Sequence, residues 1–388
     1  MNKKLIALAV AGAIYAPTVM AQSANPVTLY GRAWGMVESV QAKDGPSSAV
    51  PIANRMRVSD QSSYFGIRGT EDIGGGAKAF FQMETAFNLD QNTSTFAARN
   101  SGVGVQAGWG SLLWGRWDTP YKEFTGRFDP FADNTAAGFA GVMNDRGNFD
   151  VRSQNTIQYW MPKIGGFDAR LAYTANEGKT PNSGTPPSCG TTATGCANPW
   201  GWSAAVQWAG GPFRTALAYE KHNDTIRGVT QGGTREQGVS FMGAWKISAF
   251  ELGVIYQQYK TNNNQVAGLS INQQKAMEVW GTYQMGKSQF ILAWTASKDG
   301  GRNLQNAANT DNTQPECQAI AVAWNYQVTK RTTFMTQYMG VKNKENAPLY
   351  SLTAGAANAN GCNFGSNGLA ITVGQDPQAF AVGMRHLF

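Results

Sequence analysis

Two histidines, His222 and His386, are all that the 388 residues contain. That scarcity excludes most histidine-based metal sites and catalytic triads. His222 followed by Asp224 is the one pair that suggests a water-activating hydrolase. The cysteines show no CxxC or Cys/His spacing, so no zinc site is expected. Gly102-Val103-Gly104 with Gly108 lacks the spacing of a dinucleotide-binding loop. The basic residues are dispersed, with no Lys/Arg run, which argues against nucleic acid. No cofactor is implied. What remains is chemistry without bond-making. Arginines at alternating positions, Arg32 first among them, stand with a connector (118–152) that carries Asp118, Glu123, Asp129, Asp133, Asp145 and Asp150. Guanidinium groups facing carboxylates across a confined aqueous space act on ions and polar solutes through their field, which low-dielectric walls strengthen.

Positioning such groups requires elements with a fixed inside and outside, and the sequence is dominated by period-two alternation. In 319–328, Ile320, Val322, Trp324, Tyr326 and Val328 share one face, against Ala319, Ala321, Ala323, Asn325 and Gln327. The stretches 155–161, 167–174 and 289–295 behave alike. About sixteen such segments occur, near 27–40, 62–71, 77–89, 99–108, 111–117, 155–162, 166–175, 200–210, 212–222, 235–248, 249–260, 272–286, 288–298, 316–329, 331–343 and 376–388. Each is about as long as a tilted strand that crosses a membrane. The connectors alternate in length. Short ones lie at 71–76, 109–110, 162–166, 210–211, 285–288 and 330–331. Long ones lie at 41–61, 90–98, 118–154, 176–199, 223–234, 261–271, 299–315 and 344–375. Short turns on one rim, long polar loops on the other and aromatic residues at the strand ends describe an all-β, 16-stranded antiparallel transmembrane barrel. The composition agrees: 15% charged residues with 45 Gly, 12 Trp, 13 Tyr and 19 Phe, at a mean hydropathy of −0.34. No blade repeat indicates a propeller.

Lys3 and Lys4 precede an apolar stretch, Leu5 to Ala16, and Val19-Met20-Ala21 offers small residues where a signal peptidase reads. Residues 1–21 are therefore expected to be a signal peptide, with 22–388 the mature barrel. Beyond the cytoplasm the cysteines meet an oxidising compartment. Cys189 and Cys196 flank a small-residue stretch that suggests a local disulfide. Cys317 and Cys362 would then pair by elimination, although four cysteines allow three connectivities. Phe380, Val382, Met384, His386 and Phe388 share a face of the last strand, which is expected to pair with the first so that no edge is left open in lipid.

Several stretches together resemble the general trimeric porins of Gram-negative bacteria, the β-proteobacterial type in particular. They are Val27-Thr28-Leu29-Tyr30-Gly31, the run from Phe65 to Asp72 (Phe-Gly-Ile-Arg-Gly-Thr-Glu-Asp) with Gly74 to Gly76, Leu113-Trp114-Gly115-Arg116, and the terminal Gly383 to Phe388. The resemblance implies an outer-membrane homotrimer in contact with lipid. It also implies a third long loop folded into each pore as a constriction, and passive diffusion of small hydrophilic solutes and inorganic ions.

Alternation places Thr28, Tyr30, Arg32, Trp34, Met36 and Glu38 inward, and the resemblance makes Arg32 a basic residue of the constriction. Arg152, of inward parity, and Arg99, at the opening of the fourth strand, match two further arginines of the family's basic cluster. Many relatives carry an arginine two residues before the Phe-Gly-x-Arg-Gly glycine, where this chain has Tyr64. Arg55, Arg57 and Arg68 are the candidates to supply the missing charge. Asp129 and Asp133 flank Pro130 near the family's constriction carboxylates. Arg116 shares parity with Leu112 and Trp114 and is read as structural. Arg170 and Arg385 face inward, below the constriction. Mild anion preference is expected. A substrate-selective pore is the alternative, with Trp34, Trp160 and Trp280 stacking on solutes.

Overall fold

The computed structural model describes residues 27–43, 45, 50–91, 94–131, 135–143, 149, 151–175, 200–223, 234–263, 271–299, 304–305, 311–312, 316–344, 362–365, 368–372 and 374–388. The expected signal peptide, Cys189, Cys196, Asp133, Asp145, Asp150 and Asp224 lie outside them. Sixteen antiparallel strands close on themselves. They are β1 (Thr28–Lys43), β2 in two parts (Ile52–Asp60 and Tyr64–Gly74), β3 (Ala77–Phe87), β4 (Ser101–Ala107), β5 (Gly110–Asp118), β6 (Arg152–Trp160), β7 (Phe167–Ala175) and β8 (Trp200–Gly210). There follow β9 (Phe213–Asn223), β10 (Thr234–Ile247), β11 (Phe250–Asn263), β12 (Ile271–Met285), β13 (Ser288–Asp299), β14 (Cys317–Gln327), β15 (Thr332–Asn343) and β16 (Asp376–Leu387). Ser94–Thr95 adds a short pairing beside β3.

Alternation does what the sequence implies. Leu292 and Ile320 are 59% and 54% exposed on the outside, while their neighbours Ala293 and Ala321 are buried. Small inward residues on β8, β9, β13 and β14 leave room for a loop to enter the lumen. Every expected strand is present, but the first long connector is not a loop. Ile52–Asp60 pairs with β1 from Gly35↔Asp60 to Ala42↔Ile52, and Tyr64–Gly74 continues down the same partner to Thr28↔Arg68. Between the two halves the chain is stitched to β1. The Trp34 amide donates to Ser63 Oγ at 2.9 Å, and the Gln61 amide to the Trp34 carbonyl at 2.9 Å.

Closure runs the length of β1 and β16, from Arg32↔Leu387 to Lys43↔Asp376. The final residue completes it. The Gly31 amide donates to the Phe388 carbonyl at 3.0 Å, and the Phe388 amide to the Gly31 carbonyl at 3.1 Å. A side chain at Gly31 would strike the Phe388 ring at 2.5 Å, so the glycine is the seat of the terminal aromatic.

The interior is filled by the connector between β5 and β6. It begins with α1 (Pro120–Gly126), capped by Thr119 with proline in the first turn. It also carries a single turn, α2 (Ala140–Met143). Tyr121, Phe124, Phe128, Phe131, Phe139 and Phe149 are buried along it. α1 lies against β7–β10 and α2 against β12–β14. The last long connector also folds inward: Phe364, Leu369 and Ile371 are buried. Cys317 and Cys362 form a disulfide that ties this segment to the start of β14.

Candidate functional site

The wall opposite the inserted loop is built from β16, β1, β2 and β3 with the approach to β4, and it brings two of the expected arginines, Arg32 and Arg99, together with Arg385. Arg32 donates from Nε to the Ser62 carbonyl at 3.0 Å. Its guanidinium carbon lies 5.0 Å from the ring centres of both Trp34 and Tyr64. Arg99 stands 4.7 Å from the Tyr64 ring on the other side, and Arg385 stands 5.3 Å from Trp34. Guanidinium groups and aromatic rings therefore alternate in one row: Arg99, Tyr64, Arg32, Trp34, Arg385. Cation–ring contact of this kind holds a charge in place without neutralising it. Tyr64 is the plate between two arginines. Arg385, expected below the constriction, is level with Trp34 because the two are direct partners across the β1–β16 seam.

Carboxylates interleave with this wall. Arg99 Nε pairs with Glu84 at 2.5 Å, and the Tyr30 hydroxyl donates to the same carboxylate at 3.2 Å. Arg152 donates from Nε to Asn100 at 2.8 Å and pairs with Asp118 at 3.1 Å. The register between β5 and β6 breaks just before this pair, where Gly115 (φ 150°) and Asn155 (φ 51°) absorb the irregularity. A Cβ on Gly115 would meet the Ser101 carbonyl at 2.4 Å. Arg116 donates to the Ala98 carbonyl at 2.8 Å, a structural contact as expected.

Arg68 stands four residues nearer the periplasmic turn than Tyr64, opposite Thr28 on β1, with its guanidinium 4.9 Å from the Tyr30 ring. It lines a lower vestibule of about 760 Å3 with Trp117, Trp160, Lys163, Asp168 and Arg170. Arg57 pairs at 2.7 Å with Glu38, which also accepts from Gln61 at 3.0 Å. Glu38 is thus inward, as alternation demands, but fully buried. It is a structural carboxylate.

The loop side is a second charged network. Glu123 on α1 accepts from Arg127 at 2.8 Å and pairs with Arg170 of β7. Arg127 also reaches Asp168 at 2.9 Å, and Arg214 donates to the Arg127 carbonyl at 2.7 Å while pairing with Glu251 at 2.9 Å. Burial works against the charge on Arg127, but Glu123 and Asp168 more than offset it and hold its pKa above the ordinary guanidinium value. Arg170, expected below the constriction, belongs to this network. Asp129 accepts from the Phe131 amide at 2.9 Å and is an electrostatic neighbour of Glu278 on β12. Of the carboxylates facing arginines, Glu84, Asp118 and Glu123 are the central ones. Glu84 was absent from the sequence reading, although its inward parity beside Gln82 was available.

Trp34 and Trp280 are buried, so they do not present faces to solute. Trp160 does line the vestibule, with Arg170 4.3 Å above its ring and Trp117 5.5 Å away. His222 lies between Glu220 at 2.7 Å and Glu236 at 3.5 Å, stacked on Phe149 of the inserted loop. Its ring is committed to packing.

Comparison with known proteins places this geometry. A family model described as Gram-negative porin matches residues 7–346. Outer membrane porin protein 32 of Delftia acidovorans is 28% identical over 397 aligned positions spanning the whole of both chains. The major outer membrane protein P.IB of Neisseria gonorrhoeae is 24% identical over 92% of this chain and 98% of its own. Among solved structures, an anion-selective porin from Comamonas acidovorans superposes with a TM-score of 0.69 at 22% identity, covering 94% of this chain and 100% of that one. OmpT of Vibrio cholerae in a trimer form gives 0.65 at 14% identity, covering 94% of this chain and 100% of that one.

Proposed function

Because the chain belongs to the Gram-negative porin family, we propose that its channel favours anions and that the guanidinium–aromatic row Arg99-Tyr64-Arg32-Trp34-Arg385 sets that preference. The protein is an outer-membrane porin: small hydrophilic solutes and ions cross through its aqueous lumen. The observation that carries the anion preference is the presence of arginines on both sides of the lumen. Arg99, Arg32 and Arg385 line one wall, and Arg127, Arg170 and Arg214 lie along the loop side. Among the described residues Arg68 and Arg385 have no carboxylate within ion-pair distance, and each rests on a ring. Fixed charge at contact distance is worth about 1 kcal/mol even in water and more beside low-dielectric walls.

The experiment is the reversal potential of the purified protein in a planar bilayer under a KCl gradient. Ohmic conductance with the sign of chloride preference is expected, and Arg99→Gln with Arg385→Gln should reduce that preference severalfold. Cation preference in the parent would overturn the assignment and point to Glu84, Asp118 and Glu123 as dominant.

A second reading, selection of aromatic anions, is favoured by Trp160 and Arg170 in the vestibule. Concentration-dependent block of current by benzoate, lost in Trp160→Ala, would establish it. A hydrolytic role for His222 has little support, since both ring nitrogens face carboxylates in a buried site. We hold the chain to be a channel and not an enzyme. Residues 1–21 are proposed to be removed on export, which amino-terminal sequencing would read as a mature chain beginning at Gln22. A homotrimer is proposed from the family; the apolar outer face near both termini, including Leu29, Val37, Val58 and Phe380, suits a subunit contact and lipid equally.

A further inference from the structure

Asn100 carries no charge and lies one residue outside the β4 ladder, which begins at Ser101↔Arg116. Its side chain nevertheless ties together the two ends of the inserted loop. The chain leaves the barrel wall after Asp118 and returns at Arg152, and these two residues are cross-strand partners. The Asn100 amide oxygen accepts from Arg152 Nε at 2.8 Å and from the Asp118 backbone amide at 2.9 Å. Its amide nitrogen donates to the Asp118 carboxylate at 2.9 Å. One orientation satisfies all three bonds. Reversed, the NH2 group would face two N–H donors and the oxygen would face a carboxylate. A single side chain thus reaches from the approach to β4 across β5 to β6. The Asn100 carbonyl is held in turn, accepting from the Gln82 side chain of β3 at 3.1 Å.

The ladder shows why such a clamp is needed. Pairing between β5 and β6 breaks between Gly115 and Trp117, then resumes at Trp117↔Ser153 and Asp118↔Arg152. Just beyond, the Thr119 amide donates to the Val151 carbonyl at 3.2 Å, and the chain turns into α1. An interrupted ladder fixes the departure of a loop less firmly than a continuous one. The loop then crosses to lie against β7–β10 and β12–β14, so a tilt at its root is carried to its far side. Arg99, the residue before Asn100, pairs with Glu84 in the arginine wall. Consecutive residues therefore hold the wall and the root of the loop that faces it. We propose that Asn100 is a positioning residue of the channel: through Asp118 and Arg152 it fixes both roots of the inserted loop, and so sets the gap between loop and wall through which solutes pass. This rests on the porin reading but not on the sign of the ion preference, so the two fail separately.

The test is single-channel recording of the full protein in a planar bilayer, where only folded protein conducts. Asn100→Ala leaves the net charge unaltered. It is expected to raise open-channel current fluctuation severalfold and to lower the voltage at which the channel closes. Asn100→Asp sets two carboxylates against each other, and Asp118→Asn leaves Arg152 facing an amide. These two changes alter the charge in opposite senses. A role through charge alone would move the variants in opposite directions, whereas a positioning role raises fluctuation in both. Combining them exchanges amide and carboxylate between the two positions, which gives every hydrogen bond a donor and an acceptor again and restores the net charge. The double variant should return to the parent's fluctuation, the signature of two residues that act on each other. Three outcomes would overturn the proposal: parental fluctuation in Asn100→Ala, opposite shifts in the two single variants, or a double variant no quieter than either.

Discussion

Arg32 acts on its surroundings only as well as its neighbours hold it. Tyr64 lies between it and Arg99, so the ring keeps two like charges in adjacent places at a favourable contact of roughly 0.5–1 kcal/mol each. Tyr64→Phe keeps the ring and is expected to leave the reversal potential unchanged. Tyr64→Leu removes the plate and should reduce chloride preference; equal behaviour of the two variants would show that the ring has no such role. Glu123 is the corresponding pivot on the loop side. Glu123→Gln leaves Arg170 with a weak partner, at a cost of about 1–2 kcal/mol after allowance for partial exposure. Single-channel records should then show more current fluctuation than the parent. Arg32 was legible because parity alone fixes its direction. Arg385 was placed too low, because parity says which way a side chain points but not at what height. Height depends on strand tilt and register, which come from pairing between segments far apart in the chain.

Among the elements, alternation carried nearly the whole barrel, and it failed where alternation is short. The upper half of β2 offers only Met56 and Val58 as its outward pair, with Arg55 and Arg57 among them. It becomes a strand because β1 extends past it and Glu38 receives Arg57. The inward fold of the segment after β15 had no periodic signature at all. It is specified by partners on the inserted loop: the Asn363 amide donates to the Gly141 carbonyl at 3.0 Å, and the Gly365 amide to the Ala136 carbonyl at 3.1 Å. A Cβ on Gly365 would meet the Thr135 carbonyl at 2.0 Å. Gly365→Ala should separate the two segments, at a cost of about 1–3 kcal/mol, and raise single-channel conductance. The Cys317–Cys362 bond holds the same segment from the side, closing a separation of 45 residues. On chain-entropy arithmetic its loss costs up to about 4 kcal/mol. Cys362→Ser is expected to melt below the parent in the absence of reductant and to match it in its presence.

For the molecule as a whole, the seam between β1 and β16 decides whether there is a barrel at all. Gly383 lets the strands meet: a Cβ there would strike the Gly35 carbonyl at 2.2 Å. Deleting Phe388 removes two backbone hydrogen bonds and the ring that covers Gly31. The expected result is a lower yield of heat-resistant, folded protein in the outer membrane; an unchanged yield would show that the remaining ladder suffices.

The docking of the last connector onto the inserted loop also joins two parts of the protein that would otherwise vary separately. Residues 362–365 and 368–372 reach from the rim that bears the long connectors to the inserted loop. The same residues brace the inserted loop within the lumen. A change at this rim is therefore felt in the lumen, and a change to the inserted loop alters the rim that rests on it.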